Sequence, residues 1–97
     1  MITGFPDMSR TEAALREYDR TEGDRDELIR RAATSSEVFA WHKACAAAIG
    51  KVQEALALDT ADRNPPQACR HVHIGTIRQW VSSWQAQERA KAKGRAA

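Results

Sequence analysis

The chain has 97 residues, enough for a single small domain and one hydrophobic core, with 42% apolar and 29% charged residues, a globular balance that argues against wholesale disorder. Its formal net charge of +2 is too small to prescribe a nucleic-acid partner, and no run approaches the ~18 apolar residues that span a bilayer. Two cysteines are too few for a disulfide scaffold.

In chain order, residues 1–8 form an N-terminal arm. Gly4, Pro6 and Asp7, with no basic flank or apolar stretch, do not make a secretory signal, so a cytoplasmic location with reduced thiols is expected. Ser9-Arg10-Thr11-Glu12 has the form of a capping box opening a first helix over 9–33. Ala14, Leu15 and Tyr18 supply one apolar face; Leu28, Ile29, Ala32 and Ala33 supply another. The stretch DRTEGDRDE between them has nothing to bury, and Gly23 is a weak point where the helix could break in two. Glu12 with Arg16, Asp26 with Arg30 and Glu27 with Arg31 have ion-pair spacing for a solvated face.

Thr34 and Glu37 predict a second capping box ahead of a helix over 36–58, the clearest pattern in the chain. Val38, Trp41, Cys45, Ala48, Ile49, Val52 and Leu56 recur at three-and-four spacing with polar residues elsewhere on the wheel. After the turn DTADRN, Asn64-Pro65-Pro66-Gln67 reads as an N-cap with proline in the first turn of a third helix over 65–88. Gly75 weakens that helix, so Thr76 is a second place where it can begin, with RHVHI then an extended link. Residues 89–97 read as a fraying, flexible basic tail.

Helical periodicity throughout, with no sustained two-residue alternation, gives an all-α class; short links favour an antiparallel three-helix bundle, up-down-up. Its expected core is Leu15, Leu28, Ile29, Val38, Trp41, Ile49, Val52, Leu56, Ile77, Trp80, Val81 and Trp84.

Three histidines and two cysteines raise the question of a metal site. His42 and Cys45, three apart on one helix, together with Cys69 and His71 or His73, are a Cys2His2 set in ligand type. Hairpin geometry opposes it: Cys69 falls about 14 Å along the axis from Cys45, too far for one zinc or for a disulfide. A catalytic Cys45–His42 pair is opposed by the apolar stripe in which Cys45 sits. No phosphate-binding glycine loop or paired carboxylates are present. The expectation is a non-enzymatic chain without cofactor or metal.

Two functions then compete. In the first, Trp41, Trp80 and Trp84, with Arg78 orienting the contact, anchor a helical interface with another copy of the chain or with a host protein, because a core this small leaves a lone subunit marginal. In the second, the stretch GTIRQWVSSWQ, residues 75–85, resembles the second helix of transposase-type helix-turn-helix domains, with Thr76, Ile77, Arg78 and Trp80 matching a Thr-Ile-Arg-x-Trp opening. It departs upstream, where Arg70 and His71 stand in places that pattern gives to a buried aliphatic residue and a turn glycine. The resemblance implies that Arg78 and Gln79 reach base edges while Arg89, Lys91, Lys93 and Arg95 neutralise phosphates. Arginine outnumbers lysine eleven to four and alanine is abundant, a composition typical of GC-rich bacterial or phage genomes.

Overall fold

The computed structural model describes residues 5–63 and 66–96, with only the backbone of Pro66, Gln67, Arg95 and Ala96. The chain is all-α: α1 Ser9–Arg30, α2 Ser35–Asp59, a single turn α3 Pro66–Cys69, and α4 Ile74–Ala96. α1 runs unbroken through Gly23, around which a side chain would find open space, so nothing there forces a bend. Glu12–Arg16 at 2.7 Å, Glu17–Arg20 at 2.6 Å and Glu27–Arg30 line its exposed side.

The capping box expected at Ser9 does not form. Met8 is the N-cap residue and offers no side-chain acceptor, and the Glu12 carboxylate is taken by Arg16 and by Gln85 of α4. Two other carboxylates satisfy the first turn instead. Asp7 accepts from the Ser9 amide at 2.9 Å and from the Ser9 hydroxyl, and these bonds hold its pKa below the ordinary value. Asp59, at the far end of α2, accepts from the amide and hydroxyl of buried Thr11 at 2.9 and 2.8 Å, with Arg10 at 3.6 Å. The last residue of α2 thus caps the first turn of α1, where the amide dipoles favour a negative charge.

Between the helices, Ala33 donates to the Leu28 carbonyl and Ala32 to the Ile29 carbonyl, a Schellman closure with Ala32 at φ 52°. Thr34 and Glu37 then make the predicted capping box, and Arg31 adds an ion pair to Glu37. Along the hairpin Trp41 meets Thr21, Cys45 meets Glu22 and Asp59 meets Thr11, so α1 and α2 are antiparallel.

The third helix expected over 65–88 is two pieces. Asn64, expected as its cap, lies outside the described residues. Pro66 opens a single turn, the chain opens at 70–73, and α4 starts at Ile74, between Pro65 and Thr76, the two starts that the sequence offers. His73 caps it: its carbonyl accepts from Ile77 at 3.0 Å and its Nδ1 from the Gly75 amide at 3.0 Å. α4 stays helical to Ala96, where a fraying tail was expected from residue 89, since alanine, lysine and arginine are strong helix formers.

The order is not up-down-up. Arg78 meets Asp19, Gln85 meets Glu12 and Gln87 meets Phe5, so α4 opposes α1 and runs in the same sense as α2. The cause is the connection from Thr60 to His73, which is long enough to return to mid-hairpin, where Gln53 donates to the Val72 carbonyl at 3.2 Å.

Met8, Leu15, Val52, Leu56, Cys69, Ile77 and Val81 form the core, with Phe5, Tyr18, Val72, Trp80 and Trp84 packed around it. All of it lies in the half of the hairpin that α4 reaches. Leu28, Ile29, Val38 and Trp41, expected in the core, lie in the other half and outside this cluster, and Ile49, also expected there, is outside it too. The molecule is consequently extended. Its radius of gyration is 16.5 Å, against about 12.5 Å for a compact chain of this length. Its accessible surface is 6918 Å², against about 5,500 Å² for a compact monomer of this mass.

Candidate interaction surface

The distal half of the hairpin, on either side of the Ala32 turn, holds most of the exposed large apolar surface. Arg25, Leu28 and Ile29 present one stripe of α1, Val38, Trp41 and His42 present one of α2, and Ala32 lies in the turn between them. Together with Ala33 they line a groove of about 520 Å³. Ile29 is 66% exposed and Phe39, beside the groove, 65%. Lys43 lies over the Phe39 ring at 5.7 Å, and His42 is tilted against Trp41 at 4.8 Å.

Heptad spacing shows why this surface exists. Ile29 stands two heptads after Leu15, which is only 5% exposed. Phe39 stands two and three heptads before Gln53 and Thr60, which touch the 70–73 link and Cys69. Among the described residues, this side of the hairpin is covered by α3, the link and α4 near the base and by no element at its tip.

The four residues read from the sequence as an interface do not come together. Trp41 belongs to the distal half, where its Nε1 donates to the Thr21 carbonyl at 2.7 Å. Trp80 and Trp84 pack against the core, and the Trp84 Nε1 is buried with no partner among the described residues. Arg78 is held by Asp19 through two hydrogen bonds of 2.9 and 2.7 Å. That pairing lowers the Asp19 pKa and raises that of Arg78. The distal apolar residues Leu28, Ile29, Val38 and Phe39 are the part that sequence reasoning missed as a surface, three of them having been assigned to the core.

Of the residues considered for nucleic acid, Gln79, Arg89 and Lys93 are exposed along α4 and Lys91 pairs with Glu88 at 3.4 Å; the Arg95 side chain lies outside the described residues. The element before α4 is a single turn, too short to serve as the first helix of a helix-turn-helix.

The sulfurs are in separate places. Cys45 donates to Glu22 at 3.6 Å, and burial, then this carboxylate, push its pKa up, which keeps it a thiol at neutral pH. Cys69 lies 3.7 Å from the Thr60 hydroxyl. His71 and His73 are exposed, and the described residues contain no group of three or more ligands suited to a metal. No helix of the described residues is long and apolar enough to cross a membrane. No protein-family model matches the chain, and comparison with curated proteins and with solved structures gives no significant match.

Proposed function

We propose that the chain is a non-enzymatic helical protein–protein interaction module that associates through the distal face of the α1–α2 hairpin. The observation that carries this reading is the pair Ile29 and Phe39, each about two-thirds exposed beside a groove of Leu28, Val38 and Trp41. Large apolar side chains clustered in this way are the usual mark of an interaction site. In this reading Trp41 is an anchor, while Trp80, Trp84 and Arg78 fasten α4 to the hairpin. Two buried free cysteines fit a reducing, cytoplasmic setting. The nucleic-acid alternative has less support, because Arg78 is engaged by Asp19 and one helical turn precedes α4.

Capture from the source cells tests the reading. A tagged wild-type chain should retain partner protein, added copies of itself included, that a chain carrying both Ile29→Glu and Phe39→Glu loses, with far-ultraviolet circular dichroism unchanged between them. The same recovery from both chains would overturn it.

A further inference from the structure

Resting on that reading, we infer that the occupant of the distal face is the same face of a second copy of this chain, the two hairpin tips packing on each other across a twofold axis with their α4 helices pointing away.

The surplus surface, shared between the hairpin tip and the end of α4, exceeds what one side of a dimer interface takes. The chain exposes 6918 Å², roughly 1,400 Å² more than a compact monomer of its mass, whereas a standard interface takes about 800 Å² from each partner. Among the described residues, two stretches run without a covering helix, the hairpin tip and the end of α4. The latter, residues 85–96, has no large apolar side chain and is at ease in water. The tip is not.

The face also continues an interface the fold already makes. Ile29 repeats the heptad position of Leu15, and Val38 that of Cys45 and Val52, so the tip continues the spacing of side chains that are buried nearer the base. A second hairpin tip supplies helices with that same spacing.

Shape and charge favour a copy over an unrelated helix. The face carries a knob, Phe39, next to a hollow between Leu28, Ile29, Val38 and Trp41, and a twofold axis places each knob at the other's hollow. A lone helix seated in the hollow would leave Phe39 in water. Residues 22–43 hold five carboxylates, Glu22, Asp24, Asp26, Glu27 and Glu37, and four bases, Arg25, Arg30, Arg31 and Lys43. A tip so near neutrality does not repel its own copy, and it offers no single sign for a strongly charged partner to seek.

Sedimentation equilibrium of the purified full chain over a range of concentrations is the test, with Ile29→Glu, Phe39→Glu and, as an exposed apolar control outside the face, Leu58→Glu. The expected result is a concentration-dependent dimer for the wild type and for Leu58→Glu. Each of the other two should weaken it roughly hundredfold or more, since a buried unpaired carboxylate enters the interface twice. Circular dichroism should show all four chains equally helical. A wild type that stays monomeric, or a dimer indifferent to Ile29→Glu and Phe39→Glu, overturns the inference. The broader reading fails separately: a monomeric wild type that still captures another protein in an Ile29- and Phe39-dependent way leaves the module standing with a different partner, and one that captures nothing removes both.

Discussion

Ala32 carries a φ of 52°, in the left-handed region where a Cβ is crowded by its own backbone. The Schellman closure requires this conformation, and glycine adopts it without the ~1 kcal/mol that alanine incurs. Ala32→Gly should therefore raise stability by about 1 kcal/mol, seen as a melting temperature higher by several degrees. At Asp19 the sign is set by the lowered pKa. Its contribution is complete above the ordinary aspartate pKa of about 3.9 and disappears as pH falls through the folded value. With both side chains about half exposed, the pair with Arg78 contributes at most about 1 kcal/mol. Asp19→Asn should remove that amount at pH 7 and flatten the acid limb of a stability-versus-pH curve measured by urea unfolding. Cys45 should react slowly with a disulfide reagent at pH 8 and at an ordinary rate in denaturant, because burial and Glu22 both disfavour the thiolate.

Local rules read directly from residue types served well for the long elements and failed where a distant residue did the work. Thr34 and Glu37 meet because they are three apart in one chain, and no tertiary contact is needed to bring them together. Ser9 and Glu12 have the same spacing, yet Asp7 takes the Ser9 amide and hydroxyl while Arg16 and Gln85 take the Glu12 carboxylate, and Gln85 arrives only once the helices have packed. The start of α4 was ambiguous because proline and glycine each punctuate the segment. What decides it is His73, whose ring nitrogen takes the Gly75 amide. His73→Ala should lower stability by about 1 kcal/mol while His73→Asp, another short acceptor, keeps it, as measured by thermal unfolding. Gly75→Ala sets two effects against each other: a helix-propensity gain of about 1 kcal/mol, and a Cβ placed 3.2 Å from the imidazole Nδ1 that makes the cap.

Over the whole molecule, periodicity correctly marked which side of each helix is apolar, and Leu15, Val52, Leu56, Ile77 and Val81 are buried as that marking implies. It could not say how far the covering helix extends, and so Leu28, Ile29 and Val38 were read as core when α4 never reaches them. Met8 went unrecognised for the opposite reason, since it sits ahead of the first amphipathic helix and is buried by the path of the chain. Two alanine substitutions separate these regions. Leu56→Ala, at a fully buried position shared by the hairpin and α4, should cost about 2–5 kcal/mol in chemical denaturation. Ile29→Ala, two-thirds exposed, should fall within about 0.5 kcal/mol when measured at concentrations low enough to keep copies apart.

The pair of hydrogen bonds between the Phe5 backbone and the Gln87 side chain, 2.9 and 3.2 Å, has a practical corollary. It holds the segment ahead of α1 against the middle of α4 at the pole remote from the Ala32 bend. A fluorescent label or fused domain attached before Phe5 or after α4 would therefore be carried away from Ile29 and Phe39, leaving them open to whatever they meet.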